Sequence, residues 1–479
     1  MILESALSLV RAARRLAERR RPAADTLTPH QLDAFDQIYS FVTRGHRRDR
    51  PARGNPLMSD SPVSGLPWYT LAGFAGTGKS FLLSVLIREL LRDGIPLFAT
   101  ATTHKATRVL EQSVAEKGTR LPAEQVRTTQ SLLGLRLVPD GDGGFCMAPD
   151  PDPALPSGAV VVCDEASMAG RLVCGEAAAS TRRGVTWLFC GDPAQLPPVG
   201  EARSMVFDLA GATLEEVVRQ STGSPIVELA TCIRARQPVQ LQTRMDGDHG
   251  VAVTASERTF LDSALRAIEE DAQRGSTGHT RILAYTNRRV RWWNRLVRER
   301  LFGREAPAYL PGDFVTALDG WAPPEGASGG PVLAKSRELV VTEAEVATRI
   351  APSLPRQSRA WTCYLLTLAD PLRSVAIEVP VVHESERALM REALRARYAA
   401  AHDGEGSWEA FHELKGSFAH VGHAYATTIH RSQGSTYYTT FLDWADTTRC
   451  RGWERRCLRY VGVTRPSHRL ALLIGDRAS

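Results

Sequence analysis

Residues 73–80 read Gly-Phe-Ala-Gly-Thr-Gly-Lys-Ser, and this string obliges its surroundings to be a strand, a tight turn and a helix, in that order. The glycines let backbone N–H groups close round a phosphate, and a helix N-terminus behind them adds a favourable dipole. The flanks fit this demand. Trp68-Tyr69-Thr70-Leu71-Ala72 has the aromatic and apolar character of a buried strand, and Phe81 to Leu91 has that of a helix. Lys79 can reach β- and γ-phosphates, and the Ser80 hydroxyl can ligate Mg²⁺. The pattern predicts a nucleoside-triphosphate site.

Further apolar runs alternate with helical ones: Ile95 to Thr100, Ala159 to Cys163, Val185 to Cys190, Thr280 to Ala284 and Tyr437 to Leu442. Such alternation predicts an α/β protein with parallel sheets. At 479 residues the chain is too long for one ordinary core, so two to four domains are expected. Thr28 and Pro29 mark a helix start as N-cap and first helical residue. Ile2 to Arg21 is a basic amphipathic helix, and Arg44 to Pro67, rich in Arg, Pro, Gly and Ser, reads as a surface loop. Leu135 to Ala148, with Pro139-Asp140-Gly141-Asp142-Gly143-Gly144 inside it, signals a hairpin. Tyr309 to about Val421 reads as an inserted domain of short strands followed by a charged helix, Ser385 to Ala401.

The net charge of +6 permits a polyanionic partner without requiring one. Only five of the 59 basic residues are Lys, and Lys79 is among them. The eight Cys are scattered, with no C-x-x-C and no Cys/His cluster, which predicts reduced thiols in a cytoplasmic protein. No apolar run approaches membrane-spanning length, so no membrane partner is expected.

Two more segments carry chemistry. Val160-Val161-Val162-Cys163 runs into Asp164-Glu165, which places two carboxylates at the C-terminal edge of a parallel sheet, where ligands bind. Asp164 is the candidate Mg²⁺ ligand, and Glu165 the base that orients and deprotonates the attacking water. Trp187 to Cys190 runs into Gly191-Asp192-Pro193-Ala194-Gln195-Leu196-Pro197-Pro198. A neutral amide there, Gln195, can sense a γ-phosphate; a Pro-rich turn is the plainer alternative.

In this order, the phosphate loop, Asp164-Glu165-Ala166-Ser167 and the Gly191 to Val199 string resemble the superfamily 1 helicases, in particular the RecD/Pif/Dda group. Leu214 to Gln220, Ile282 to Asn287, Thr427 to Thr436 and Tyr460 to Arg465 resemble that group's later motifs. Spacing, the short hairpin and the placement of the insert are most similar to the Dda type. The resemblance implies two RecA-like P-loop NTPase domains, a pin hairpin (135–148) in the first and an SH3-like/tower domain in the second. The implied order is a basic N-terminal helix (1–26), the first motor domain (27–212), and the second (213–308 and 422–479) interrupted by the insert (309–421). The implied activity is ATP- and Mg²⁺-dependent 5′ to 3′ DNA unwinding.

Position by position, the resemblance places Gln31 on the adenine edge and Gly73, Gly76, Thr77, Gly78, Lys79, Ser80 and Gly434 round the nucleotide. Arg219 and Arg465 become arginine fingers, a role worth roughly 10³ to 10⁵ in rate. Thr102, Thr103, His104, Thr128, Asn287, Thr428, His430 and Ser435 become the single-strand track, binding phosphates without reading sequence. For His104 the options are stacking on a base or a buried, hydrogen-bonded ring. Pro139 and Phe145 match the apolar pin positions, and Trp408, Phe411 and Phe418 the base of a tower; a surface turn and ordinary packing are the alternatives. Departures occur at Thr102, where Pro is usual, at Gln130, where His is usual, and at Pro466, which is expected to alter the helix preceding it. The implied partners are single-stranded DNA, single/double-strand junctions and single-strand-binding or replisome proteins, with the enzyme a monomer. Two other readings stand beside it: a translocase that strips proteins from single strands, and a non-catalytic scaffold.

Overall fold

The computed structural model describes residues 26–46, 67–139, 145–149, 155–209, 211–216, 223–275, 278–323, 333–352, 358–370 and 373–475. The N-terminal helix expected over 2–21, most of the 44–67 loop, the 140–144 turn and Arg219 lie outside the described residues, as do the side chains of Pro139 and Phe145. Contacts divide the chain into two units. The first runs to Val239 and takes in Gln433–Ser435 and Gly452–Thr464; the second comprises Gln240–Ser432, Thr436–Arg451 and the chain from Arg465.

The first unit is built on strands β1 (Trp68–Gly73), β2 (Leu97–Ala101), β3 (Val126–Thr128), β6 (Val160–Asp164), β7 (Thr186–Gly191) and β8 (Gly211–Leu214), with a separate hairpin of β4 (Leu135–Pro139) and β5 (Phe145–Pro149). The sheet order is β3-β2-β6-β7-β1-β8, and every neighbouring pair is parallel. Successive side chains of a strand point to opposite faces. Val160, Val162, Leu188 and Cys190 therefore enter one core, while Val161, Cys163, Trp187 and Phe189 enter another. On that second face Trp187 stacks on Phe189 at 5.4 Å, and Trp68 meets Phe189 edge-on at 5.1 Å. With cores on both sides, β6 and β7 are buried at every position, which explains their unbroken apolar runs.

Helix Pro29–His46 starts with a capping box. The Thr28 hydroxyl accepts the Gln31 N–H at 3.3 Å, and the Gln31 side-chain carbonyl accepts the Thr28 N–H at 3.1 Å. In the hairpin, pairing runs from Leu135 opposite Pro149 to Pro139 opposite Phe145, so the last two residues stand at its turn end.

The second unit holds β9 (Arg244–Asp246), β10 (His249–Thr254), β11 (Thr280–Ala284), β17 (Ala426–Thr428), β18 (Tyr437–Asp443) and β19 (Pro466–Leu473) in the order β17-β11-β18-β19-β10-β9. All its pairs are parallel except β9 with β10. Between β11 and β17 the chain builds a second, antiparallel sheet of β12 (Phe314–Ala317), β13 (Glu338–Pro352), β14 (Ser358–Asp370), β15 (Arg373–Val382) and β16 (Val421–His423), with helix Arg387–His402 between β15 and β16. Where this insert joins the six-stranded sheet, fully buried Asp313 accepts hydrogen bonds from Arg298, from the Tyr425 hydroxyl at 3.0 Å and from the Leu310 N–H at 2.8 Å. These donors satisfy its buried side-chain oxygens.

Two details go beyond the linear reading. The Pro225–Arg234 helix packs with helix Gly452–Val463 inside the first unit, and both bury an apolar face. Pro466 does not disturb the preceding helix: that helix ends at Val463, and Pro466 opens β19, a position where a missing N–H is tolerated.

Candidate active site

Strand β1 ends at Gly73, and the phosphate loop turns over it before helix Lys79–Arg92 begins. Gly76 and Gly78 have φ of 84° and 79°, the left-handed region that glycine adopts at no steric cost. A Cβ on Gly78 would also lie 2.3 Å from the Gln31 side-chain nitrogen. The loop is tied from within. Lys79 Nζ donates to the carbonyls of Gly73 (2.7 Å) and Phe74 (2.9 Å), and the Thr77 hydroxyl donates to the Phe74 carbonyl at 2.9 Å. It is also tied from outside, because Gln31 Nε2 donates to the Thr77 carbonyl at 3.0 Å. Both ends of the Gln31 amide are thus engaged, one in capping its own helix and one in seating the loop.

Asp164 stands at the end of β6 opposite the helix N-terminus. One carboxylate oxygen accepts the Ser80 hydroxyl at 3.3 Å and the other accepts the Glu165 N–H at 2.8 Å. Burial pushes its pKa up, while the Glu165 N–H and the Lys79 charge pull it back. A hydroxyl and a carboxylate oxygen side by side form a hard, all-oxygen donor pair that fits Mg²⁺. Among the described residues no three His, Cys, Asp or Glu side chains form a metal cluster by themselves. Magnesium typically completes its shell with water and substrate phosphates, so a pair suffices.

The raised pKa has a sign that can be tested. A carboxyl whose folded pKa lies above its unfolded one favours folding at low pH, and that contribution is lost as pH rises through the folded value. Near neutrality Asp164 therefore costs stability. Asp164→Asn is expected to melt above wild type at pH 7.5 without nucleotide. A melting scan showing no rise would refute the burial argument.

Glu165 follows with φ of 52°, a left-handed conformation that costs a non-glycine residue roughly 1–3 kcal/mol and persists only where surroundings enforce it. Both main-chain groups are held: the N–H by Asp164, and the carbonyl by the Thr102 hydroxyl at 3.0 Å. Gln195 is buried in the turn after β7, where its N–H donates to the Asp192 carbonyl at 3.1 Å. Its side-chain carbonyl accepts Gln433 Nε2 at 3.2 Å, and the same nitrogen donates to Ser167 Oγ at 3.2 Å. Gln433 lies in the Thr427–Thr436 string, yet nothing local in the sequence singled it out.

The expected track residues take up local structural tasks. Thr103 caps helix His104–Glu116 by accepting the Ala106 N–H, Thr128 caps the next turn through the Ser131 N–H, and Gln130 Nε2 reaches the Thr102 carbonyl at 3.4 Å. His104 is exposed, so the buried-histidine alternative does not apply. In the second unit Asn287 opens helix Asn287–Phe302, Thr428 accepts the Arg431 N–H at 3.2 Å, and His430 lies 6.0 Å from the Tyr285 ring. Gly434 and Ser435 belong to the first unit, where an added Cβ on Gly434 would come within 3.0 Å of Ala106 Cβ. Arg465 is buried in the second unit, its carbonyl accepting the Tyr437 N–H at 3.0 Å. Trp408 packs edge-on against Tyr398 (5.4 Å) and Phe411 (6.1 Å) in the insert, and Phe418 packs similarly on Trp361 at 6.3 Å.

A phosphate loop at the C-terminal edge of a parallel sheet, with a strand-end Asp-Glu beside it, defines a P-loop nucleoside triphosphatase of the RecA-like kind. Family models described as an AAA domain and a UvrD-like helicase C-terminal domain match residues 63–255 and 423–473. The chain is 24% identical over 423 residues to the ATP-dependent DNA helicase dda of Enterobacteria phage T4, covering 83% of this chain and 92% of that protein. The chain is similar to the superfamily 1 helicases of the Pif1/Dda type. It is also 21% identical to an uncharacterized protein of Acanthamoeba polyphaga mimivirus, over 85% of this chain and 95% of that one. The Pif1 helicase from Candida albicans aligns at 15% identity with a TM-score of 0.45, over 94% of this chain and 96% of that one.

Proposed function

We propose that this ATP-dependent DNA helicase moves 5′ to 3′ along single-stranded DNA, fuelled by Mg²⁺-ATP, and parts the duplex it meets. The observation that carries the coupling of chemistry to strand is the hydrogen bond from Thr102, a track candidate, to the carbonyl of Glu165, the candidate base. A strand that moves Thr102 moves the peptide from which the base projects.

In this reading the loop N–H groups and Lys79 hold the triphosphate, and Ser80 with Asp164 would hold Mg²⁺, which supplies charge neutralisation on the phosphates. Glu165 takes a proton from the water that attacks the γ-phosphorus as the bond to the leaving ADP oxygen breaks. Gln195 registers the γ-phosphate, and Arg219 and Arg465 stabilise charge on the transferring group. Gly434, Thr103, His104, Thr128, Asn287, Thr428, His430 and Ser435 line the path of nucleotide and strand. Pro139 and Phe145 form the wedge, braced by the Trp408 region. The setting is the cytoplasm of a bacterium, or of a phage's host, with single-strand-binding or replisome proteins as neighbours and a monomeric enzyme. No described helix is long and apolar enough to cross a membrane.

A strand-displacement assay tests this. A duplex with a 5′ overhang is expected to be unwound and its 3′-overhang counterpart left intact; equal unwinding of both would refute the polarity. In the same assay Phe145→Ala should slow unwinding about tenfold, the factor matching loss of roughly 1.4 kcal/mol of replaced stacking per step. Displacement of protein from single strands should survive in that variant. Undiminished unwinding by Phe145→Ala would favour the plain surface turn.

A further inference from the structure

The Gly452–Val463 helix brings Tyr460 to the phosphate loop from 385 residues along the chain. The residue is 2% exposed, and its hydroxyl has two partners on two different motifs. It donates to Asp192 Oδ2 at 2.8 Å and accepts the Ala75 N–H at 3.2 Å. Ala75 is the third residue of the loop, and Asp192 opens the turn that carries Gln195.

Asp192 organises that turn. It is fully buried; Oδ1 accepts the Ala194 N–H at 2.9 Å and its carbonyl accepts the Gln195 N–H at 3.1 Å. Immediately before Ala75, the Phe74 ring lies under the Arg234 guanidinium at 3.5 Å. The arm of the loop that precedes Gly76 is therefore gripped by two helices that are not part of it. Burial, reinforced by the Asp192 charge, pushes the Tyr460 hydroxyl well above the ordinary phenol range, so it stays a donor at any working pH. A phenylalanine would fill the same space. The hydroxyl adds one thing only, a bridge between loop and turn.

We propose that Tyr460 is a positioning residue for ATP hydrolysis, its hydroxyl holding the phosphate loop in register with the Asp192 turn and thereby placing Gln195. The inference rests on the nucleotide-site reading proposed above and adds to it a residue that touches neither nucleotide nor metal. Loss of the bridge leaves binding of the triphosphate to Lys79 and the helix N-terminus largely intact, while the γ-phosphate sensor loses its reference to the loop. The effect should therefore fall on kcat more than on KM.

The test is steady-state ATP hydrolysis by the full-length protein, with and without oligo-dT, per nucleotide-binding site counted by equilibrium binding. Tyr460→Phe is expected to lower kcat about tenfold, the lower end of what a hydrogen bond to a charged group contributes. Its KM for ATP should change less than about twofold. Asp192→Asn should show a similar kcat loss, and the double variant should lose little beyond either single one, because both break one bridge. A purely structural role predicts a lower melting temperature with wild-type kcat per site, and that result overturns the proposal. Multiplying losses in the double variant overturn it too. If wild type hydrolyses no ATP, the nucleotide-site reading falls and this inference with it; a wild type that hydrolyses ATP beside an unimpaired Tyr460→Phe sinks this inference alone.

Discussion

Lys79→Ala is expected to lower ATP turnover by at least about 10² to 10³, the scale of removing one preorganised donor from a developing charge. Lys79 brings a full positive charge, so the upper end of that range is the expectation. Without nucleotide, Nζ is satisfied by the Gly73 and Phe74 carbonyls, so the ammonium waits within the loop rather than in solvent. An incoming triphosphate offers stronger, charged acceptors in the same place, and the lysine can exchange two carbonyls for phosphate oxygens without leaving the loop. Alanine removes both the charge and the two ties. Single-strand binding, carried by other residues, should change less than about threefold, as measured by fluorescence anisotropy, because phosphate contacts elsewhere supply it. Near-normal turnover in this variant would refute the placement of the triphosphate.

Glu165→Gln is expected to cost about 10² to 10⁴ in kcat, the usual range for a positioned general base. The substitution is close to isosteric, and the main chain of Glu165 is held on both sides, its N–H by Asp164 and its carbonyl by the Thr102 hydroxyl. The backbone at φ 52° is thus enforced by neighbours that the mutation leaves in place. ATP affinity should hold within about threefold, since only the transition state needs the proton acceptor. The variant should therefore trap ATP on the enzyme. Wild-type turnover with glutamine at 165 would show that some other group activates the water.

How much of this was legible beforehand depends on the range of the forces involved. The phosphate loop could be read directly, because a strand end, positive-φ glycines and a helix N-terminus are all properties of adjacent residues. Asp164 and Glu165 were legible for the same reason, as carboxylates at the end of an apolar run. The Thr28 N-cap was visible, whereas the second engagement of Gln31 on the Thr77 carbonyl, 46 residues away, was not. Nor were Gln433 on Gln195, at a separation of 238, and Tyr460 on Asp192, at 268. That the helices Pro225–Arg234 and Gly452–Val463 pack on each other was not legible either, because their apolar faces suit any core and only packing selects one.

Local stereochemistry in the chain itself determined the nucleotide loop, the acidic strand end and the alternation that makes parallel sheets. Tertiary structure alone decided which distant side chains stand behind those elements: the amide that seats the loop, the second glutamine that meets Gln195, and the tyrosine hydroxyl that joins loop to turn. The reason is that parallel strands gather their C-terminal ends at one edge whatever their distance along the chain. A hydrogen bond made across that edge depends on the folded register and leaves no mark in the residues on either side of it.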